Sequence, residues 1–262
     1  MDLFTHICSG VAAATVVIPF ANRKAAKSLK ILGFGALGGA FPDIDAISMW
    51  SRFDATIGRL FGLSHTGREI YGAKFWYSHH AFFHSIAAAL LISVLLILAG
   101  YAFMRIRKIG MDVYFRRNLF PVVAFIAGYL FHLLGDMPTP ASTWGGINMF
   151  WPGDAYFGGS GKIWWWNNYD IFLLLILCIV VNCIMIRFYK RYARQITFCV
   201  ALLTFFVITI QVNTRYYDYA YSGNAKNYAE MEQQSKQEQE RILSKHIYKH
   251  MKWLDDHLPL HF

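Results

Sequence analysis

The chain has 262 residues, 56% of them hydrophobic and only 16% charged, a balance too apolar for an ordinary soluble domain and unlike that of a disordered chain. Its net charge of +9 would suit nucleic-acid binding, but the basic residues fall in short clusters between apolar runs, so they read as topology signals and no nucleic acid is expected. Cys8, Cys178, Cys183 and Cys199 all lie in apolar runs without C-x-x-C spacing, which argues against both disulfides and a thiolate metal site.

The first apolar run covers residues 7–21. Asp2 precedes it and Arg23, Lys24, Lys27 and Lys30 follow, the reverse of a secretory signal, so the run is expected to be a retained span. Residues 31–41 are short and carry Gly33, Gly35, Gly38 and Gly39; such a segment crosses only where it packs closely on a neighbour or where lipid thins. Runs at 81–104, 119–135, 171–188 and 196–212 approach the ~20 residues a crossing needs. The chain therefore reads as an all-α polytopic membrane protein of about six transmembrane helices over residues 1–213.

Charge sets the direction. Basic clusters follow the first run, the third (Arg105, Arg107, Lys108, Arg116, Arg117) and the fifth (Arg187, Lys190, Arg191, Arg194), and with six spans these loops share one side, read as cytoplasmic. Omitting the 31–41 span would place the second cluster outside, so the charge pattern itself favours six crossings. Both termini and the long connections 42–78 and 137–170 then lie outside. Trp144, Trp151, Trp164, Trp165 and Trp166 sit among glycines in the second connection, which is expected to lie against the outer leaflet.

Residues 214–262 form a polar tail. Its stretch 230–241 is rich in Glu, Gln and Lys and reads as a solvated helix or as disordered. Beyond it, Leu243, Ile247, Met251, Leu254 and Leu258 recur at helical spacing, giving a C-terminal amphipathic helix that can lie on the membrane or dock on the domain.

None of the ten histidines falls in a basic loop. His6 opens the first span, Asp43 and Asp45 follow the second, His79, His80 and His84 precede the third, and His132 and Asp136 close the fourth. Four distant segments thus bring imidazoles and carboxylates to one depth. His132 and Asp136, four apart, share a helix face. Asp43 and Asp45, two apart after a helix-breaking proline, point the same way in an extended segment. One such residue at a helix end is commonly a cap, but ionisable groups at membrane depth are costly and mark function. The candidate ligands are His6, Asp43, Asp45, His79, His84, His132 and Asp136, a mixture that suits zinc, one to three ions, with manganese, iron or magnesium as alternatives. His65 reads as an ordinary loop residue. His246 and His250, one turn apart in the tail with His257 and His261 beyond, flank the amphipathic stripe on its wet side and read as no site.

These elements resemble the YdjM-type family of inner-membrane-associated, metal-dependent hydrolases. Its opening Met-Asp-x-x-Thr-His is matched by Met1 through His6, and its Pro-Asp-Ile/Leu-Asp by Pro42-Asp43-Ile44-Asp45. Its His-Arg-Gly-x-Thr-His-Ser appears as His79-His80-Ala81-Phe82-Phe83-His84-Ser85. Gly128-Tyr129-Leu130-Phe131-His132 through Asp136, then Thr139 and Trp151-Pro152, match the fourth element, and Asp170 matches an Asp that opens the next span. The third element departs from the pattern: His80 replaces Arg, Ala81 replaces Gly and Phe83 replaces Thr, so anion recognition by a guanidinium is absent there.

The family is in turn similar to the zinc-dependent phospholipase C and single-strand nuclease group. That resemblance implies a hydrolase at the non-cytoplasmic face of a bacterial inner membrane, acting on a phosphoester or other ester of a lipid or envelope component. A bound divalent ion would lower the pKa of water to ~7 in the zinc case. Asp45 is the candidate general base, with Asp2, His80, Thr139 and Asp170 supporting the ligands. The alternatives are a non-catalytic protein that uses metal to pin its helices or bind a partner, and, last, a metal or proton transporter.

Overall fold

The computed structural model describes residues 1–21 and 25–257; Arg23, Lys24, Leu258 and His261 lie outside the described residues. The fold is helical: α1 Leu3–Val17, α2 Ala25–Ala40, the short α3 Gly67–Gly72, α4 Ile86–Arg105, α5 Met111–Asp136, α6 Tyr169–Phe188, α7 Ala193–Asn213, α8 Ala225–Ile242 and α9 Lys245–His257. Extended pairing among the described residues is confined to two isolated bridges, Pro140 with Ser160 and Ile147 with Phe157. Five helices are long and apolar enough to cross a membrane: α1 with its following turn (Leu3–Phe20), α4, α5, α6 and α7. The sixth expected span is α2, whose 16 residues reach only ~24 Å.

Close packing accommodates this short helix. A Cβ added at Gly35 would lie 2.4 Å from the Gly10 carbonyl oxygen of α1, one at Gly38 would lie 2.1 Å from that of Phe125 in α5, and one at Gly39 would lie 2.2 Å from that of His6. Gly128 of α5 meets the Gly35 carbonyl in the same way, at 2.3 Å. Small residues let backbones touch where lipid supplies no hydrophobic drive, and dispersion then holds the three helices together. Gly33 has nothing within 4 Å and takes no part.

The contacts also fix direction. Gly39 beside His6 and Gly35 beside Gly10 make α1 and α2 antiparallel, while Gly128 beside Gly35, and Lys30 donating to Asn118 at 2.5 Å, run α5 alongside α2. Gly100 of α4 abuts Tyr114 near the start of α5, and Asn182 of α6 donates to Thr15 at 2.8 Å. Arg194, at the start of α7, donates to the Pro19 carbonyl. The helices α1, α2, α4, α5, α6 and α7 therefore alternate up and down. Lys27, Lys30, Arg105, Arg107, Lys108, Arg187, Lys190, Arg191 and Arg194 gather at one end, and the starts of α1, α4 and α6 gather at the other.

Two expectations about the outer segments change. The tryptophan-rich connection is folded inward: Trp164 is fully buried against Tyr219, Tyr221 and Tyr228, and Trp144 donates from Nε1 to the Tyr71 carbonyl at 2.7 Å. Ring contacts favour burial of both indoles in protein, and at Trp144 the N–H is satisfied as well. The stretch 230–241 lies in α8, and its Ser235, Glu238 and Gln239 are fully buried because the helix docks on the start of α6. Helix α9 also docks, through Met251 against Tyr169 with Leu243, Tyr248 and Leu254 around them, which leaves Ile247 exposed.

The glycine contacts lead to a graded test. Gly35→Leu should drive α2 off α1 at a cost of ~1–3 kcal/mol and lower the midpoint of thermal unfolding in detergent. Gly33→Ala, which meets open space, should leave that midpoint unchanged or raise it slightly.

Candidate metal centre

Four segments meet at the end of the bundle away from the basic residues. Helix α1 begins there because Asp2 caps it, accepting from the Thr5 N–H at 2.8 Å, and this places His6 one turn in. Burial pushes the Asp2 carboxyl up to about 6. Pro42 ends α2 and starts a 3₁₀ helix, Pro42–Met49, that carries Asp43 and Asp45. Thr139 closes α5 by donating to the Asp136 carbonyl at 2.7 Å, which fixes the helix end holding His132 and Asp136. The loop before α4 presents His79, His80 and His84, and Ser85 caps that helix by accepting from the Ala88 N–H.

His80 sits at a φ of +63°, the left-handed region that non-glycine residues avoid. Two bonds hold it there: its carbonyl accepts from the Asn148 N–H at 2.8 Å, and its Nδ1–H donates to the Gly146 carbonyl at 3.0 Å. The second connection thus braces the histidine loop.

The side chains form one network. Asp45 accepts from His79 Nδ1 at 2.6 Å through one oxygen and from His84 Nδ1 at 3.1 Å through the other. His132 Nδ1–H donates to the Gly39 carbonyl at 2.7 Å, so a neutral His132 has its lone pair on Nε2. The two Nε2 atoms of His84 and His132 face each other at 3.3 Å. Asp136 Oδ2 lies 3.5 Å from the first and 3.0 Å from the second, and Asp43 Oδ1 lies 3.7 and 3.6 Å from the same pair.

Those five separations, 3.0 to 3.7 Å, make two triangles that share the His84–His132 edge, and they lie around the ~3.4 Å expected between two nitrogen or oxygen ligands of one zinc ion. Asp136 Oδ2 is buried with no hydrogen-bond partner, so a cation placed among these donors would satisfy it. His84, His132 and Asp43 form one group whose donors are close enough to hold an ion, and His6, His132 and Asp136 form another. His79, His80 and His84 form a third.

Charge supports the same reading. Burial alone would drive the proton off His84, but Asp45, Asp136 and Asp43 reverse this and hold its pKa well above the ordinary value. Asp43 and Asp45 are pushed up by burial, yet the imidazoles around them outweigh it and keep both carboxyls below the ordinary range. His80 moves the other way, well down, through burial and the nearby His79 and His84. Three carboxylates this close to one another, two of them buried, need positive charge close by, from protons or from a metal ion.

A family model described as YdjM inner membrane protein matches residues 1–216. The chain belongs to this family. No curated protein and no solved structure matches it. The YdjM region takes in the six alternating helices and the centre, whereas α8 and α9 lie beyond it.

Within the YdjM bundle, the expected residues are placed as follows. His6, Asp43, Asp45, His79, His84, His132 and Asp136 converge, although Asp45 lies behind His84 and His79 with both oxygens occupied. His6 stacks on His132 at 3.6 Å and donates through Nε2 to Asp136 at 2.9 Å, leaving a buried Nδ1 without a partner. The amino group of Met1 also donates to Asp136, at 2.6 Å. Asp170 was expected to support the ligands, but its carboxylate is taken by Arg215 at 2.9 Å and by Gln239 at 2.9 Å, so it anchors α8. His65 lies exposed beside Glu69, and His246, His250 and His257 are exposed on α9.

Sequence reasoning missed Tyr71, which stacks on His79 at 4.5 Å, and Trp144, which covers His79 and His80 at 5.0 and 4.4 Å. It also missed the Gly39 and Gly146 carbonyls that set two imidazole tautomers. A backbone acceptor has no signature in sequence.

Titration of purified protein with a divalent metal should show binding that His132→Ala and Asp136→Ala abolish, read by equilibrium dialysis and metal analysis. Asp45→Asn should leave the stoichiometry unchanged and weaken affinity about 10- to 100-fold, as loss of a carboxylate behind a ligating imidazole does.

Proposed function

We propose that the centre holds zinc and hydrolyses an ester, with phosphoesters the first class to consider. One observation carries this reading: the clustered donors on His84, His132 and Asp136 are buried, whereas the neighbouring Asp43 side chain is 24% exposed. A purely structural ion tends to be enclosed by protein on all sides, while a hydrolytic one needs a side open to water and substrate.

His84, His132 and Asp136 would hold the ion, with Asp43 at its open side and His6 and His79 beside them. The ion's contribution when bound is to acidify water and offset negative charge on the reacting ester. Asp45 orients His84 and His79 from behind, so the general-base role expected of it passes to the partly exposed Asp43. Trp144 and Tyr71 keep water from the far side of the imidazoles. In the reaction, the water oxygen bonds to phosphorus or carbonyl carbon, and the ester oxygen leaves as an alcohol carrying a proton.

The non-catalytic reading draws on the departures at His80, Ala81 and Phe83, which remove the guanidinium that the family pattern places in the histidine loop. Activity separates the two. Purified protein should hydrolyse a phosphoester in a zinc-dependent way, and His132→Ala should remove turnover. Asp45→Asn should lower kcat about 10- to 100-fold with little change in KM, because it loosens a ligand and not the substrate. Stoichiometric zinc without turnover over a broad ester panel would decide for the structural role.

The end of the bundle that carries the centre is proposed to face the non-cytoplasmic side of the inner membrane, since the basic residues collect at the opposite end. Cysteines introduced at positions 54 and 154 should react with an impermeant reagent in intact cells, and one at position 190 should react only after lysis. The reverse pattern would overturn the orientation.

A further inference from the structure

The 3₁₀ helix Pro42–Met49 has three residues per turn, and its faces are inverted relative to those of a water-exposed helix. Pro42, Asp45 and Ser48 are buried, while Ile44, Ile47, Met49 and Trp50 are each 48–49% exposed. The polar side is closed by α3, whose Gly67 packs on the Ser48 carbonyl so tightly that a Cβ there would lie 2.0 Å from the oxygen. Phe53 and Ile70 are buried at the same contact. Nothing described covers the apolar side. It continues from Leu37, 41% exposed near the end of α2, and the connections at this end add exposed Leu60, Phe61, Trp76 and Phe150.

An apolar face that continues the lipid-facing surface of a membrane bundle, carries an indole at its end and backs directly onto a polar centre has one fitting occupant, the bilayer leaflet. We propose that Ile44, Ile47, Met49 and Trp50 lie in the leaflet on the side of the centre, and that the substrate is a membrane amphiphile whose polar ester reaches Asp43 laterally from that leaflet. The substrate part rests on the hydrolase reading; the immersion of the segment does not.

Two measurements on full-length protein in vesicles of phosphatidylethanolamine and phosphatidylglycerol test this. A nitroxide attached through Ile47→Cys, with the native cysteines replaced by serine, should be relaxed more by oxygen than by a water-soluble nickel chelate. The reverse ratio overturns the proposal whatever the activity; should the serine background not fold, quenching by brominated lipid that Trp50→Phe reduces reports the same contact, and quenching that it leaves unchanged overturns it. In the second, Ile47→Ser with Trp50→Ser should lower hydrolysis of a phospholipid in vesicles about tenfold and leave hydrolysis of p-nitrophenyl phosphate and zinc content within about twofold. Equal loss on both substrates, or no loss on either, overturns lateral delivery. A wild-type protein inactive on both and on the broad ester panel removes the hydrolase reading and with it the substrate claim, while the nitroxide still decides the immersion.

Discussion

Asp45 and Asp136 are buried at one end of a membrane bundle with the half-buried Asp43 beside them, and the charge of the three has to be offset where little water reaches. Each is surrounded by imidazoles, and each imidazole is in turn held by a carboxylate or a backbone carbonyl. Apart from the amine of Met1 at Asp136, the cluster contains no fixed cation such as Arg or Lys among its described contacts. Its positive charge is therefore exchangeable, supplied by protons or by a divalent ion, and this distinguishes it from the Asp170–Arg215 pair nearby, where a guanidinium neutralises the carboxylate permanently.

Placement of the donors depends on how closely α1, α2 and α5 approach. Gly39 illustrates the coupling: its missing side chain lets α2 touch the His6 carbonyl of α1, and its own carbonyl fixes the His132 ring of α5. One residue thus sets the spacing of three helices and the tautomer of a candidate ligand. Donor separations that must hold to a few tenths of an ångström are better built on packed helices than on loops. The more adaptable donors, on the 42–49 turn and the loop before α4, are braced from outside by α3 and by the second connection.

Beyond the YdjM region, the tail is tied down by polar contacts and not by apolar area alone. Gln239 of α8 bonds Asp170, and Tyr169 donates to Asp255 of α9 at 2.7 Å. Aromatic rings then run from Tyr228 of α8 through Trp165 and Trp144 to His79 and His80. The tail consequently buttresses the wall over the histidine loop, although it supplies none of the candidate ligands.

Apolar length and basic clusters by themselves determined the class of the protein, its alternating helices and the common end of its histidines, because crossing a bilayer demands long apolar runs and short loops record charge. The convergence of His6, Asp43, His79, His84, His132 and Asp136 was also legible, since alternation brings every second connection to one end. Roles within the cluster were not. Asp43 and Asp45, two apart, were expected to point the same way from an extended segment with Asp45 as the base, and only the period of the 3₁₀ turn sent Asp43 toward the solvent side of the centre and Asp45 behind His84. Asp170 matched a motif, yet Arg215 and Gln239 arrive from segments with no sequence relation to it and take its charge. Motif order depends on chain direction, which sequence records; the partner of a side chain depends on packing between distant segments, which only the tertiary structure decides.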